Sequence, residues 1–333
     1  MISNHIIRGG ILLKIKRYKS SEIAVGIDLG GTTLTSGIIT KEGELLHSFK
    51  EDTPSSFTVE DFIKKIDEII DKYATLTDIE QESLNIGVGV PSLVTEDKII
   101  INAPNLHWKN INLVKLVKER LDYSVDIEHD VKCGCIAEKL MGAGKDENDF
   151  VYLTIGTGIG AAIIMDGKIR KGSNGCAGNL GHWVIDPKGH LCNCGLNGCL
   201  ERYVASPAII RKAKMKMQQG CDFNVDKDEL TSKYIFENIE EIQEAKEIIE
   251  NAAVKLGLIF SRIVTMIDPG LIIIGGGIGR ASKYFYERIN KVIKNNVECR
   301  FAQSTKVVPA LLEESVLVGA GLIAFKDIRQ KYF

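Results

Sequence analysis

The sequence predicts an α/β protein of two lobes, each built on a copy of one supersecondary unit, with a cleft between them. Three observations predict it. Apolar strands alternate with helical patterns in both halves, the mark of α/β layering. The stretches VGIDLGGTTLTSGIITKEGEL (25–45) and YLTIGTGIGAAIIMDGKI (152–169) share one grammar: strand, Gly/Thr-rich turn, strand, glycine turn, strand. Such a duplication has no fixed period, so a repeat search would pass over it. Finally, no low-complexity linker separates the halves.

The elements follow in order. Ile23 to Asp28 is a short apolar run ending in an acid, with Gly30, Gly31, Thr32 and Thr33 next. Runs at Gly37 to Ile39 and Glu44 to Phe49 flank a Lys41-Glu42-Gly43 turn, giving three strands in tight hairpins. Phe62, Ile66, Ile69 and Ile70 recur at helical spacing and predict a helix over Val59 to Tyr73. Ile86 to Val90 and Val125 to Glu128 read as strands, and Val131 to Met141 as a helix. The pattern restarts with strands at Val151 to Ile155 and Ala161 to Met165, a turn at Asp166-Gly167 and a third strand. An irregular Gly/Cys-rich stretch runs from Gly172 to Leu200. Helices are expected at Pro207 to Met217, Ile239 to Met266, Tyr284 to Lys294 and Val316 to Lys326, with strands at Leu271 to Ile274 and near Val307. Asp222 to Asn238 is charged and poorly periodic, and is expected to be a surface excursion. The expected division is a basic extension at 1–21, a small lobe at 22–129 plus 315–333, and a large lobe at 130–314.

Composition narrows the function classes. The 333 residues are 44% hydrophobic and 26% charged, as in an average soluble globular chain. The formal net charge is −2, whereas a nucleic-acid binder that neutralises many phosphates usually carries a basic domain. No apolar run reaches the roughly 18 residues of a membrane span. Arg8 interrupts the apolar N-terminal residues, Lys14, Lys16 and Arg17 follow, and no small-residue cleavage site appears, so the N-terminus does not read as a signal peptide. A cytoplasmic protein is expected. Three of the eight cysteines, Cys192, Cys194 and Cys199, cluster closely, a spacing that suits a metal more than crosslinks.

The glycine turns carry the first chemistry. Glycine lets backbone N–H groups approach a phosphate with no Cβ in the way. Asp28, at a strand end beside Gly30, Gly31, Thr32 and Thr33, suits a hydrated Mg²⁺, which prefers carboxylate, water and phosphate ligands. The turn is neither a Walker loop nor a dinucleotide fingerprint. Gly156, Thr157, Gly158 and Gly160 repeat the arrangement, and two such turns in duplicated lobes can grip one triphosphate. Gly275, Gly276 and Gly277 follow an apolar strand; they offer a flat surface for a base or ribose, or form a tight turn alone. Asp130 stands between a strand and a helix, where it can take a proton from an alcohol during phosphoryl transfer or serve as a plain N-cap. His182 with Cys192, Cys194 and Cys199 is expected to make a closed, structural zinc set over 182–199, the alternative being reduced thiols with no metal.

D-x-G-G-T, G-T-G-I-G, G-H followed by C-x-C-G-x-x-G-C-x-E, and the late Gly-Gly-Gly occur in that order. Together they resemble the ROK family of sugar kinases, in the actin-like ATPase superfamily, over about Ile23 to Lys326. The resemblance implies a ribonuclease H-like fold with duplicated βββαβαβα lobes. It implies transfer of the γ-phosphate of ATP to a hexose hydroxyl, usually the 6-hydroxyl, with Mg²⁺ and a structural Zn²⁺. Asp130 would be the base; Asn105, His182 and Glu201 would bind the sugar; Asp28 and the glycine turns would hold Mg-ATP. It also implies a homodimer, assembled mostly through the large lobe, and lobe closure that excludes water.

Two positions depart from the family pattern. His129 stands where Asn usually precedes the catalytic Asp, and Asn179 where Glu usually stands in E-x-G-H. Both positions normally touch the sugar. Kinase chemistry is expected to persist with altered specificity: glucose-type or N-acetylated hexose, or an unusual sugar such as allose or a β-glucoside. A non-catalytic sugar-sensing regulator is the alternative. A DNA-binding repressor is disfavoured by the few residues before the first strand, and a chaperone-type ATPase by the zinc motif.

Overall fold

The computed structural model describes residues 18–54, 56–280 and 282–333; most of the basic extension expected over 1–21 lies outside them. The chain forms two compact units: 18–130 with Ala320–Lys326, and Val131–Gly319 with Asp327–Phe333. Among the described residues no helix is long and apolar enough to cross a membrane.

The first unit runs β1 (Ile23–Leu29), β2 (Thr33–Thr40), β3 (Leu45–Asp52), α1 (Val59–Thr77), β4 (Asn85–Val90), β5 (Ile100–Ala103), β6 (Trp108–Ile111), α2 (Leu113–Leu121) and β7 (Val125–His129). Its main sheet has the order β3-β2-β1-β4-β7. The first three strands pair antiparallel, while β1, β4 and β7 are parallel. β1 and β4 are buried along almost their whole length, which is why they read as apolar runs rather than alternations. A Thr58/Asp61 capping box starts α1, satisfying two orphan N–H groups at once. The helix buries Phe62, Ile66, Ile69, Ile70 and Tyr73, each worth roughly 1.5–3 kcal/mol when fully removed from water.

The second unit begins within α3 (Asp130–Met141). It continues through β8 (Phe150–Ile155), β9 (Ile159–Met165), β10 (Lys168–Ile169), α4 (Glu201–Val204), α5 (Ser206–Gln218), α6 (Ser232–Glu237), α7 (Gln243–Ile267), β11 (Leu271–Gly275), α8 (Lys283–Asn296) and β12 (Lys306–Pro309) to α9 (Ser315–Ile323) and α10 (Lys326–Tyr332). The sheet order β10-β9-β8-β11-β12, with β8, β11 and β12 parallel, repeats the topology of the first sheet strand for strand. The duplication read from the glycine turns therefore extends through both sheets. The repeats are βββαβαβα units with insertions: the β5–β6 hairpin in one, and the Gly/Cys stretch with α4 to α6 in the other. α9 carries the chain from the second unit back to the first after Gly319. In the first unit Gly87 lies so close to this helix that a Cβ there would meet the Ala320 carbonyl oxygen at 1.8 Å.

Several expectations need correction. Asp222 to Asn238 is not a surface excursion: Phe223, Leu230, Ile235 and Phe236 are buried in the second core, and Thr231 caps α6 through the Tyr234 N–H. Four apolar anchors among charges are enough to hold a segment that shows no period. The helix expected from Ile239 starts at Gln243, and the final helix breaks at Ala324–Phe325 into α9 and α10. The β5–β6 hairpin and α2 are too short, at 4, 4 and 9 residues, for a period to be read. Trp108 belongs to the first core, 3% exposed and packed on Phe62 with ring centroids 5.6 Å apart.

Candidate active site

Sheet register assembles the first unit's site residues at one edge. Asp28 pairs with Gly89 across β1 and β4, and Val90 pairs with His129 across β4 and β7. Asp28, His129 and the following Asp130 thus stand at the carboxyl ends of β1 and β7, the two parallel strands that flank β4, the edge where open α/β sheets bind ligands. The His129 side chain is 17% exposed and that of Asp130 is 33%, with Nε2 and Oδ1 3.3 Å apart. Asp130 opens α3, where the helix dipole favours negative charge. The turn after β1 is tied by the Gly30 N–H, which donates to the Thr33 carbonyl at 2.9 Å. Asn105 packs on that turn, and a Cβ at Gly31 would lie 2.6 Å from its Cβ. Only a residue without a side chain allows this approach.

The second unit's sheet has an equivalent edge. Thr154 at the end of β8 pairs with Gly275 at the end of β11, so both later glycine runs leave the sheet side by side. In the first run, Gly156 donates to the Gly158 carbonyl at 3.0 Å and accepts from Ser206, at the start of α5, at 2.9 Å. Glu201 Oε2 accepts from the Ile159 N–H at 3.0 Å, which binds the turn to α4. Gly275–Gly277 line a cavity of about 590 Å³ whose other walls include Lys233, Phe236 and Glu237 from α6 and Ala310, Leu312 and Glu313 beyond β12. Neither of those wall segments was singled out from the sequence. The buried Ile235-Phe236 pair within the charged stretch is the signal that could have exposed α6.

The cysteine loop is built on close backbone contact. At Gly181 a Cβ would stand 2.2 Å from the Ile159 carbonyl oxygen, so the Leu180–His182 turn lies directly on β9. His182 Nδ1 is 3.6 Å from Cys192 Sγ, and Cys194 Sγ is 3.6 Å from Cys199 Sγ. All four ligand atoms lie within 4.8 Å of one another. In a tetrahedron with Zn–S of about 2.3 Å and Zn–N of about 2.0–2.1 Å, neighbouring ligand atoms are about 3.6–3.8 Å apart. The donor set and the two short separations therefore fit zinc. Burial, with the Cys194 and Cys192 thiols adding to it, pushes the Cys199 thiol up to about 12. Three thiolates cannot share this space near neutral pH without a cation. Glu201 Oε1 sits 3.9 Å from Cys192 Sγ, so the carboxyl group bridges the cluster and the glycine turn. Asn179 lines a separate, mainly apolar cavity of about 420 Å³ with His182, Trp183 and Ile263. Cys133 and Cys135 are buried, Cys221 is half-buried, and Cys176 and Cys299 are exposed.

Two sheets of one topology, each carrying glycine turns at the carboxyl ends of its parallel strands, define an actin-like ATPase fold. Residues 24–327 match the ROK family, and the chain belongs to it. It is 30% identical to a glucokinase of Thermotoga maritima over 90% of this chain and 96% of that protein. It is 27% identical to a xylose repressor of Caldicellulosiruptor bescii over 96% of this chain and 82% of the repressor. Among solved structures it resembles a ROK family glucokinase from Streptomyces griseus in complex with glucose and AMPPNP, at 27% identity and a TM-score of 0.79, over 92% of this chain and 99% of that one.

Proposed function

We propose that this protein is an ATP-dependent sugar kinase that transfers the γ-phosphate of ATP to a hexose hydroxyl, the 6-hydroxyl first, with Asp130 as general base. The observation that carries the reading is the placing of Asp28 and, just after His129, of Asp130 at one end of the sheet, in a chain similar over 90% of its length to a glucokinase. Phosphoryl transfer asks little covalent chemistry of a protein; it asks for position and charge neutralisation, with one base to orient the nucleophile. Asp130 would accept the hydroxyl proton. Asn105, His129, Asn179, His182 and Glu201 would hold the sugar, through the hydrogen-bonding groups each side chain offers. Gly30, Gly31, Thr32, Thr33, Gly156, Thr157, Gly158 and Gly160 would hold the phosphates of ATP, and Gly275–Gly277 its base and ribose. Mg²⁺, held by Asp28 and the phosphates, would neutralise charge that develops in transfer. Zinc would be structural, fixing the loop that carries His182 and leads into α4, where Glu201 stands. The two compact units would be the two lobes of the kinase. We also expect a homodimer. Leu191, Leu196 and Met266 are exposed on the second unit and offer apolar surface to a second copy.

A sugar-sensing regulator is the second reading, favoured by the similarity to a xylose repressor and by the His129 and Asn179 replacements. One experiment separates the two: coupled ADP release with Mg-ATP across glucose, mannose, allose, fructose, N-acetylglucosamine, N-acetylmannosamine and a β-glucoside, on wild type and Asp130→Asn. A kinase gives sugar-dependent ADP release that falls by about 10²–10⁴-fold in the variant, while sugar affinity changes little. Sugar binding by calorimetry without turnover on any sugar would favour the regulator.

A further inference from the structure

We infer that Glu138 is a positioning residue for the nucleotide subsite, fixing the 310–313 turn that walls the cavity beside Gly275–Gly277. The inference rests on the kinase reading of that cavity. Glu138 lies in α3 and is fully buried, a placement rare for a carboxyl group unless it is paired or hydrogen-bonded. Its partners are backbone N–H groups. Oε2 accepts from Ala143 at 2.7 Å and from Leu311 at 3.3 Å, and Oε1 accepts from Leu312 at 2.8 Å. Two of the three donors belong to the turn whose Ala310, Leu312 and Glu313 line the cavity.

Apolar burial does little to hold that turn. The Leu311 side chain is 67% exposed. Before it, the Ala310 N–H donates to the Ile274 carbonyl at 2.9 Å, which continues the β11–β12 pairing. The next two N–H groups, those of Leu311 and Leu312, donate to Glu138. Gly142 belongs to the same device: a Cβ there would lie 2.0 Å from Glu138 Oε2 and 2.9 Å from its Cα. Two successive N–H groups of the turn converge on one carboxyl group, so the wall is set by one side chain some 170 residues away in sequence.

The test uses Glu138→Gln, which keeps shape but sets an NH₂ donor against at least one backbone N–H. Gly142→Ala is the second variant, displacing the carboxyl group without altering it. Calorimetry would read binding of the non-hydrolysable ATP analogue AMPPNP, hydrogen exchange would read the Leu311 and Leu312 amides, and steady-state kinetics would separate the two substrates. The expected result is a fivefold or greater rise in nucleotide Kd and in KM for ATP, with kcat and sugar KM within twofold, and lost protection at both amides. Unchanged nucleotide affinity would overturn the inference. So would a common fall in kcat and rise in both KM values, the sign of general destabilisation. If wild type binds no nucleotide, the kinase reading of the cavity fails on its own, while exchange at the two amides still shows whether Glu138 holds the turn.

Discussion

His129 Nε2 stands 3.3 Å from Asp130 Oδ1, so the residue that departs from the family pattern touches the carboxyl group proposed as base. An imidazole there can donate or accept, and it lies against Oδ1 of the carboxyl group. The contact sets the orientation of the base and narrows the space beside it. Replacing both departures, His129→Asn with Asn179→Glu, is expected to raise kcat/KM for glucose relative to the wild type's preferred sugar by about tenfold or more, the equivalent of roughly 1.4 kcal/mol, within reach of one or two hydrogen bonds. Competition kinetics across the sugar panel would measure it. An unchanged ranking of sugars would remove these positions from the specificity argument.

Strong local signals made much of this molecule legible. The two glycine turns and their flanking runs announced the duplicated β-hairpin units, because glycine at a sheet edge and apolar runs buried on both faces leave distinct marks in sequence. His182 and the three cysteines could be grouped because one short loop brings them together. What stayed hidden depends on tertiary contact. Glu138 reads as one more helix acid until Leu311 and Leu312 fold onto it. Phe236 reads as a stray aromatic until it packs edge-on against Phe285, with centroids 5.3 Å apart. Lys98, with a positive φ, reads as a loop residue, yet its Nζ lies 2.6 Å from the buried Asp126.

The cysteine cluster predicts zinc-dependent stability. One zinc per chain is expected by elemental analysis. Binding to the metal-free protein is expected to release protons, since thiols such as Cys199, held up at about 12 by burial, must ionise to become ligands. Affinity should therefore weaken as pH falls. Cys194→Ser is expected to lower both zinc content and Tm, and to reduce sugar turnover through Glu201, which touches Cys192 and Ile159. Calorimetry in buffers of different ionisation enthalpy would count the protons; a count of zero, or full stability after chelation, would defeat the prediction.

Gly31→Ala tests the packing of Asn105. The added Cβ would lie 2.6 Å from Asn105 Cβ, so one of the two segments must move. Overpacking of this kind costs about 1–3 kcal/mol. The expected outcome is a modest fall in Tm with a clear rise in sugar KM. A fall in Tm alone, with sugar KM unchanged, would show that Asn105 does not contact the sugar.

Lys212 predicts a pH-dependent term in stability. Its ammonium is held down to about 8, first by burial and then by the Lys255 and Arg211 charges. Its Nζ donates to the Tyr203 carbonyl at 3.2 Å and to Asn251 Oδ1 at 3.1 Å, so it fastens α5 to the helix that carries Glu201. An ordinary lysine in the unfolded chain titrates near 10.4. Between about pH 8 and that value the unfolded chain binds more protons than the folded one, so stability rises with pH across the window. Below pH 8 both states are charged and the folded protein bears the full penalty. The measurement is urea unfolding of wild type and Lys212→Met from pH 7 to 10.5. Relative to the variant, wild type should gain about 1–3 kcal/mol over that range, a figure kept below the full shift because the site is partly solvated. Methionine leaves two acceptors without their donor, so the offset between the curves carries no information; their difference in slope does. Parallel curves would mean that Lys212 keeps an ordinary ammonium in the folded protein.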